Sequence, residues 1–413
     1  MSVKLPIAEH PIAIVGGGPA GALATTLLGG EGRGVLLFDE KLAWEKPCGG
    51  GITHKALERY PFLANSGSSR SLVEHCELIS PSGQRVRFQL QHPVAVFSRL
   101  ELNGLLLNRA RRAGPGVEIR NERVTRIARI GEGWQLVTPQ RQYKVSYLIL
   151  AAGARNPFRA QFLSPISPSD LMVTAGYFIP RGSCPGDGSL MQIQFLRGIT
   201  GYIWVFPRAD HVSAGIAGKM GEIPTGDLRS ILEKWLVENH FRLDGARFYS
   251  HILPSFRAQT FETLEVCGNG WAMIGDSAGL VDPITGEGLY YALRSAELCA
   301  GALLDGQPED YRTHLAVEIL PELRLAARVS HRFYNGQVFG DSVLERMVAL
   351  TAQSASFREL MSDLFAGIQC YGDLRVRLYR ILPAVMKEGL SGTLHWPWNK
   401  TGSSEFSADP LVE

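Results

Sequence analysis

Several features are absent from this chain of 413 residues, and each absence excludes a class of protein. The six cysteines form no C-x-x-C pair, which argues against a zinc site or a disulfide framework and fits a reducing cytoplasm. No uncharged apolar stretch reaches about 18 residues, so no transmembrane helix is expected. The N-terminal residues show no signal-peptide pattern. Internal repeats and low-complexity segments are also missing from the sequence.

The charge balance gives no sign of a nucleic-acid partner. The net charge is +2, too small to create a global field that attracts polyanions. Hydrophobic residues make up 45% and charged residues 20%, values typical of a soluble globular protein. The length exceeds what one ordinary core holds together, so two or three subdomains are expected.

The most informative stretch is Ile12 to Gly21. An apolar run that predicts a buried strand leads directly into Gly16-x-Gly18-x-x-Gly21, and an Ala/Leu-rich helical pattern follows. This is the dinucleotide fingerprint in its required context of strand, glycine turn and helix. Gly16 permits the turn, Gly18 lets a pyrophosphate approach the backbone, and the helix N-terminus stabilises its charge. The alternative is a tight turn that holds nothing.

A second apolar run, Val35 to Phe38, ends in Asp39 and Glu40. An acidic residue about twenty positions after the glycines is placed to accept the ribose hydroxyls of a dinucleotide. Asp39 is the first choice for this role and Glu40 the second.

The loop that follows contains Lys46-Pro47-Cys48-Gly49-Gly50-Gly51. Three glycines after a Pro-Cys pair let the backbone pass close to something flat or bulky. The loop is therefore expected to lie against the cofactor ring, with Cys48 facing the reaction chamber. The thiol there is either a packing group or a proton source, and a plain flexible loop is the alternative.

Further strands and turns extend this first domain. Val124 to Ile127 and Tyr147 to Ala151 are predicted strands, the second ending at the turn residue Gly153. A helix is predicted to start near Arg99, which either pairs with the pyrophosphate or lies on the surface.

Residues 170–265 favour an antiparallel sheet that forms one wall of a cavity, with predicted strands at 172–179, 189–195, 201–206 and 212–217. In the third of these, Tyr202, Trp204 and Phe206 alternate and so share one face. Three aromatic rings on one face suit a flat ring or a hydrocarbon chain. An ordinary aromatic sheet core is the alternative.

Another buried strand ends in Gly275-Asp276, and a Gly-rich turn, Pro283 to Gly288, opens a helix from Leu289 to Ala302. Asp276 can accept a ribityl hydroxyl, and the amides of Gly288 and Leu289 can stabilise negative charge on a reduced ring. Beyond residue 305 the pattern is helical, over 311–334, 343–369 and 372–388, with Arg324, Arg328 and Arg332 along one side. These arginines indicate a solvated basic face on a helical cap, or else a surface that rests on anionic lipid.

Four segments together resemble the geranylgeranyl reductase family, within the flavoprotein class built like p-hydroxybenzoate hydroxylase. They are the glycine fingerprint, residues 46–51, Tyr202-x-Trp204-x-Phe206-Pro207, and Gly275-Asp276 with Gly286-Glu287-Gly288. The resemblance covers about residues 10–305. In the family the aromatic motif continues into Gly-x-Gly, whereas here Ala217 follows Gly215 in the second position.

The resemblance implies FAD as the cofactor, an external electron donor such as NAD(P)H or ferredoxin, and a hydrophobic or lipid substrate. It favours the substrate-wall interpretation of the three aromatic residues. Cys48 is the candidate catalytic residue, and Tyr202, Trp204, Phe206 and Gly215 are the candidate substrate contacts. No metal site is predicted. The positions expected to contact FAD are Gly16, Gly18, Pro19, Ala20, Gly21, Asp39, Glu40, Cys48, Gly49, Gly50, Arg99, Val124, Gly153, Gly275, Asp276, Pro283, Gly286, Gly288 and Leu289.

The expected architecture is α/β with added antiparallel β: a Rossmann-like FAD-binding domain, an inserted antiparallel-sheet substrate domain and a C-terminal helical region. The FAD-binding domain is predicted to comprise 1–72, 97–168 and 266–305. Residues 73–96 and 169–265 are predicted to form the substrate domain, and 306–413 the helical region.

The predicted function is reduction of isolated C=C bonds in an isoprenoid or similar lipid by hydride transfer from reduced FAD. A flavin monooxygenase that activates O2 is the main alternative, and a lipid or flavin binder without turnover is a third. The motif Trp-x-Trp-x-Ile-Pro of flavin halogenases is replaced here at Tyr202 and Phe206, so halogenation is a minor possibility.

Related hydroxylases carry Asp-Gly where this chain has Ala152-Gly153, which leaves the route of electron delivery open. The protein is expected in the cytoplasm, with possible peripheral contact with a membrane.

Overall fold

The computed structural model describes residues 7–186, 188–338 and 340–393. Its strands are β1 Ile7–Val15, β2 Val35–Phe38, β3 Gly51–Ile52, β4 Arg70–Ile79, β5 Arg85–Phe97, β6 Val117–Arg120, β7 Arg126–Ile130, β8 Gly133–Val137, β9 Gln142–Leu150, β10 Leu171–Pro180, β11 Met191–Phe195, β12 Gly201–Pro207, β13 His211–Lys219, β14 Arg247–Pro254, β15 Cys267–Gly268, β16 Trp271–Met273, β17 Gln337–Val338 and β18 Asp341–Ser342. Its helices are α1 Pro19–Gly30, α2 His54–Arg59, α3 Pro61–Ala64, α4 Arg99–Arg111, α5 Thr225–Glu238, α6 Ala258–Glu262, α7 Leu289–Leu304, α8 Asp310–Glu318, α9 Leu320–Asn335, α10 Val343–Gln353, α11 Ala355–Ala366 and α12 Tyr371–Thr393.

The first sheet has the order β15-β16-β9-β1-β2-β6, and β7 and β8 extend it beside β9. Its central strands β16, β9, β1, β2 and β6 are all parallel. Residues 12–15 of β1 and all of β2 are apolar, and they share one core with helices α1 and α7, which is the burial that a parallel sheet requires. The carboxyl ends of β1, β2, β9 and β16 therefore meet at one edge, where ligands of open α/β sheets bind.

The second sheet has the order β14-β10-β13-β12-β11-β4-β5-β3. All its neighbours are antiparallel except β11 and β4, which run parallel. Its strands come from two separate parts of the chain, β3 to β5 before α4 and β10 to β14 after β9. The fold is thus a mixed α/β structure with one largely parallel and one largely antiparallel sheet, and with a helical C-terminal region, as predicted.

Local sequence signals set several helix boundaries. Ser98 begins α4 by accepting a hydrogen bond from the Glu101 N–H at 3.1 Å, and Ser342 begins α10 by the same contact with Glu345. Both pairs match the S-x-x-E pattern that satisfies free N–H groups at a helix N-terminus.

The predicted continuous helix over 311–334 is wrong, because α8 ends at Glu318 and α9 begins at Leu320. Pro321 lies in the first turn of α9, where the missing N–H costs nothing. The predicted helix 343–369 is likewise two helices, α10 and α11, separated at Ser354, which caps α11 by accepting from the Phe357 N–H. The strand predicted to begin at Val124 begins at Arg126.

The C-terminal helices cover one face of the second sheet. Side chains of α9, α10 and α11, among them Tyr334, Met347 and Phe357, share a core with apolar residues of β4, β5 and β11. Among the described residues, no helix is both long enough and apolar enough to cross a membrane. The polar tail predicted over 396–413 lies outside the described residues.

Candidate functional site

A cavity of about 1280 Å³ lies between the carboxyl edge of the first sheet and the face of the second sheet that the C-terminal helices cover. This volume exceeds the roughly 300–1,000 Å³ of an ordinary small-molecule pocket. It therefore has room for a dinucleotide and a second ligand together. Most of the predicted site residues line it, namely Gly16, Gly18, Pro19, Ala20, Asp39, Glu40, Cys48, Gly49, Gly50, Arg99, Val124, Gly153, Tyr202, Trp204, Phe206, Asp276, Gly286, Gly288 and Leu289.

The glycine turn connects β1 to α1 at one end of this cavity. Gly16 has φ +113°, and a Cβ there would lie 2.3 Å from the Ala151 carbonyl oxygen, so the position requires glycine. A Cβ at Gly18 would meet no protein atom within 4 Å. Gly18 thus leaves open space above the N-terminus of α1, where the helix dipole favours a phosphate.

Asp39 holds the glycine turn in place. One carboxylate oxygen accepts from the Gly17 N–H at 2.7 Å, and the other accepts from the N–H groups of Lys41 and Leu42. Because a carboxylate has about four acceptor positions, three of them are occupied by the backbone. Glu40 is half exposed and lies 3.8 Å from the Arg123 guanidinium.

The Cys48 loop is fixed by a buried arginine, Arg208, whose side chain is fully buried. Its guanidinium donates to the Cys48 carbonyl and pairs with Glu45, and Ser213 Oγ donates to the same carbonyl at 2.9 Å. A Cβ at Gly49 would lie 2.4 Å from the Phe206 ring, so the loop packs tightly against β12. The loop is therefore an anchored wall of the cavity rather than a flexible segment.

Arg99 is only 4% exposed and lines the same cavity, which excludes the surface position considered from the sequence. Glu45 accepts from the Arg99 N–H at 3.0 Å and so connects the start of α4 to Arg208. The Arg99 guanidinium donates to Asn103, while its Nε is buried and has no hydrogen-bond partner among the described residues. Such an unpaired buried donor in the cavity that the glycine turn also lines fits an anionic ligand.

Lys46 and Asp276 form an ion pair across the cavity, with 3.4 Å between Nζ and Oδ2. His251 of β14 also lines the cavity, and its Nε2 is buried without a hydrogen-bond partner among the described residues. Burial and the nearby Lys46 charge lower the pKa of His251 to about 4. The imidazole is therefore neutral at pH 7.

The three aromatic residues of β12 lie on the cavity side, as their alternation predicts. Between them, Ile203 and Val205 point to the opposite face and pack with Leu228 and Leu232 of α5. Tyr202 OH donates to the Thr285 carbonyl, which joins the aromatic wall to the Gly-rich turn before α7.

Four predicted contact residues do not line the cavity. Gly21 and Gly275 lie behind it, because a Cβ at Gly21 would be 1.9 Å from the Gly16 oxygen and one at Gly275 would be 3.2 Å from Ala20 Cβ. Gly215 supports the Trp204 ring, which a Cβ there would meet at 2.2 Å. Pro283 is buried in the turn. These residues shape the wall of the cavity instead of forming its surface.

The cavity continues away from the glycine turn into an apolar arm between β11 and the C-terminal helices. Its lining residues here share an apolar character and come from β11 and α9 to α12: Met191, Ile193, Phe195, Val329, Phe333, Val343, Met347, Met361, Leu364, Phe365 and Leu374. Such a lining suits a long hydrocarbon chain, and the charged residues that α9 adds to the cavity lining are Glu322 and Arg332. The sequence patterns did not indicate this arm.

Two of the arginines predicted to form a basic face on α9 contact α6. Arg324 donates to the Phe261 carbonyl, and Arg328 pairs with Glu262 at 3.0 Å. Arg332 lines the cavity. Arg328 (59% exposed) and Arg332 nevertheless keep exposed side chains, so two of the three arginines lie on a solvent-accessible side of α9 as predicted. The alternative of a lipid-facing surface stays a prediction.

Sequence reasoning missed Arg208, Glu45 and Ser213, which position the Cys48 loop. The only available signal was a charged residue, Arg208, directly after the apolar strand that ends at Pro207. Glu287 and Thr53 were also missed as a pair, because their contact joins positions 234 residues apart.

No protein-family model matches the chain. It is 25% identical over 382 residues to a geranylgeranyl diphosphate reductase of Synechocystis, covering 86% of this chain and 89% of that protein. It is 24% identical to digeranylgeranylglycerophospholipid reductase 1 of Methanopyrus kandleri, covering 73% of this chain and 82% of that protein.

Among solved structures, a geranylgeranyl bacteriochlorophyll reductase-like protein from Thermoplasma acidophilum superposes with a TM-score of 0.76. It covers 94% of this chain and 100% of its own at 18% identity. The flavin-dependent brominase Bmp2 superposes with a TM-score of 0.67 at 17% identity, covering 92% of this chain and all of its own. At these identities the superpositions show a shared fold.

The relatives confirm the resemblance that the four motifs indicated. The residues present fit a flavin cofactor, since the glycine turn is open above α1 and Arg99 has an unpaired donor in the same cavity. The chain is similar in sequence to geranylgeranyl reductases and has the fold of flavin-dependent enzymes.

Proposed function

We propose that this protein reduces C=C bonds of a polyprenyl chain, with FAD in the cavity between its two sheets. The observation that carries the proposal is the continuity of one cavity from the glycine turn, past the aromatic wall, into the apolar arm. An ADP half-site at one end and a hydrocarbon-lined arm at the other fit FAD and a long isoprenoid side by side. The names of the relatives support an isoprenoid substrate.

In this proposal, Gly18 and the N-terminus of α1 bind the pyrophosphate, together with Arg99. Asp39 or Glu40 contacts the ribose, and Asp276 contacts the ribityl chain. When bound and reduced, FAD supplies the hydride for the reduction. The amides of Gly288 and Leu289, at the start of the 16-residue helix α7, stabilise negative charge at the ring position.

The second sheet serves as the substrate half of the molecule, inserted twice into the FAD-binding half, over 73–96 and 169–265. Tyr202, Trp204 and Phe206 orient the prenyl chain and exclude water from the reacting bond. Cys48 faces the same chamber from a loop that Arg208 holds rigid, so its thiol contacts the alkene region.

A long apolar substrate is taken from a membrane surface, and α12 offers the contact. Four side chains on one side of this helix are apolar and 48–63% exposed: Val376, Tyr379, Leu382 and Met386. They share this side because they follow one another at spacings of three and four. Arg380 and Lys387 are exposed beside them, which favours an anionic lipid surface.

The proposal keeps the chain in the cytoplasm, where its six free cysteines remain reduced. The electrons come from NAD(P)H or a ferredoxin.

The test is to mix the reduced enzyme anaerobically with a polyprenyl substrate. Reoxidation of the flavin without O2, together with a product two hydrogens heavier, is the expected result. A product that appears only with O2 and carries an added oxygen would favour the monooxygenase alternative. No reaction under either condition, with substrate bound, would identify a binding protein.

A further inference from the structure

Glu287 is a carboxyl group in the cavity that the roles above do not use. It lies between Gly286 and Gly288 in the turn before α7, and it lines the cavity together with Cys48 and Tyr202. Within the part of the chain that the structure describes, no cation lies within ion-pair distance of its carboxylate. The hydroxyl of Thr53 donates a hydrogen bond to Oε1 of this carboxyl at 3.0 Å.

The Thr53 contact joins the two segments that border the proposed ring position. Thr53 follows the Cys48 loop and begins α2, whereas Glu287 belongs to the turn that begins α7. The Glu287 carboxyl is thus held between these segments, on the wall of the chamber in which the alkene would lie. A partly buried acid with no counter-ion within ion-pair distance favours its neutral, protonated form.

The surroundings of Glu287 act on its pKa in opposite directions. Burial is the largest effect and raises the pKa of Glu287 to about 7, and the Asp282 carboxylate acts in the same direction. The Thr53 hydrogen bond and the Lys55 ammonium, both from the α2 side, act in the opposite direction. Asp282 itself accepts from the Ile284 N–H and the Tyr371 hydroxyl, so it is fixed within the turn and α12.

We propose that Glu287 is the catalytic acid that protonates the alkene carbon opposite the one that receives hydride. The inference rests on the proposed function. One alkene carbon accepts a hydride from the reduced flavin, which is thereby oxidised by two electrons. The π bond breaks, its electron pair takes the proton from the Glu287 O–H, and two C–H bonds result. The carboxylate left behind regains a proton from water before the next turnover.

A carboxyl suits this step, because a general acid is most effective when its pKa lies near the operating pH. A Glu287 with an ordinary pKa would be ionised at pH 7 and unable to donate. In this proposal Cys48 has a different role, which is to contact and orient the alkene.

The first experiment compares Glu287→Gln with the wild-type holoenzyme by rapid mixing of the reduced flavin with a polyprenyl substrate. Glu287→Gln is expected to retain FAD and accept electrons, and to slow flavin reoxidation by about 10²–10⁴-fold, the usual contribution of general acid catalysis. The wild-type rate is expected to fall as the pH rises above about 7, because the donor loses its proton. An unchanged rate in Glu287→Gln would overturn the inference while the proposed function stands.

Thr53→Val keeps the inference testable if Glu287→Gln fails to fold. Loss of the Thr53 hydroxyl removes a bond that favours the carboxylate, so the pH at which the rate falls should move upward. The matched control is Glu322→Gln, because the Glu322 carboxylate lines the same cavity but accepts from the N–H groups of Tyr371 and Gly372. A pH profile that moves with Glu322→Gln and not with Thr53→Val would contradict the assignment to Glu287.

A readout independent of turnover is the carboxyl ¹³C resonance of Glu287 in protein labelled at glutamate, with and without FAD. The resonance missing from Glu287→Gln should titrate near neutrality. Titration near pH 4.5 would overturn the inference.

Cys48→Ala should slow reoxidation by only about tenfold and leave the pH profile in place, whereas a loss of about 10²–10⁴-fold would make the thiol the donor. A wild-type enzyme that no polyprenyl substrate reoxidises would remove the inference together with the function.

Discussion

At the residue scale, the cavity depends on side chains whose polar groups bond both to the backbone of its loops and to one another. Asp39 accepts hydrogen bonds from three backbone N–H groups. Arg208 donates to the Cys48 carbonyl and pairs with Glu45. These contacts fix two loops, residues 16–18 and 46–51, on opposite sides of one chamber. Rigid loops of this kind reduce the ordering cost that a bound cofactor would otherwise impose.

Gly18→Val tests the cofactor site directly. A Cβ at this position meets no protein atom within 4 Å, so the fold should persist, but the side chain occupies the space above α1 where the pyrophosphate is proposed to bind. The purified variant should lose the yellow colour and at least 90% of the bound FAD seen in wild type, about 1.4 kcal/mol or more of binding free energy. Gly30→Val, at the other end of the same helix and also without a neighbour, is the control and should retain FAD. Full FAD occupancy in Gly18→Val would place the pyrophosphate elsewhere.

His251 predicts an acid sensitivity of the ligand-free protein. Burial and Lys46 lower its pKa from 6.5 to about 4, so the unfolded chain binds a proton in this range that the folded chain does not. The stabilisation is complete above pH 6.5 and is lost as the pH falls towards 4.

The measurement is urea unfolding of wild type and His251→Gln at pH 7.5 and pH 4.5. The free energy of unfolding of wild type should drop by on the order of 2 kcal/mol more than that of the variant. Equal losses in the two proteins would show that His251 titrates normally in the folded state.

At the element scale, the sequence predicts those structures whose determinants are local. The strand–turn–helix of the fingerprint, the four strands of residues 170–220 and the helix α7 follow from short-range periodicity, glycine positions and caps. The shared face of Tyr202, Trp204 and Phe206 likewise follows from the two-residue period of a strand.

Features that depend on contacts distant in sequence could not be predicted. The apolar arm needs β11 and α9 to α12 to come together, and nothing in any one of these segments indicates the others. The contact between Arg208 and the Cys48 loop spans 160 residues. The contacts of Arg324 and Arg328 with α6 could not be predicted either, because periodicity identifies the polar side of a helix but not the neighbour that packs beside it.

Strand β12 allows the two faces of one element to be compared. Trp204→Ala should weaken binding of a long prenyl substrate by about tenfold or more and leave FAD bound, because its ring faces the cavity. Val205→Ala is the control, since Val205 is equally buried but faces α5. Both variants lose stability, with a Trp→Ala cost of about 3–5 kcal/mol, so folding is verified first by circular dichroism. Similar substrate affinities in the two variants would reduce the aromatic face to an ordinary sheet core.

At the scale of the whole molecule, the first sheet, the second sheet and the C-terminal helices each contribute one side of a single cavity. The apolar arm passes between β11 and the helices, and its lining includes Leu374 of α12. The outer side of this same helix carries the exposed apolar residues. A prenyl chain leaving a bilayer at α12 would therefore have a short path to the arm.

The membrane proposal predicts a specific effect of Leu382→Ser combined with Met386→Ser. Wild type should sediment with vesicles that contain anionic lipid, and salt should weaken the association because Arg380 and Lys387 contribute to it. The double variant removes two apolar side chains that are 48% and 60% exposed, so its own fold loses little burial. Partial burial of these side chains in the interface is worth on the order of 2 kcal/mol, which predicts vesicle binding weaker by about tenfold or more.

Val317→Ser is the matched control for this experiment, because Val317 of α8 is 71% exposed and lies away from α12. It should leave vesicle binding unchanged. The double variant should still reduce a short, water-soluble prenyl substrate at the wild-type rate and should be slow only on substrate held in vesicles. Equal vesicle binding by the double variant and Val317→Ser would show that α12 is not the contact, and the substrate would then have to enter the apolar arm from another side.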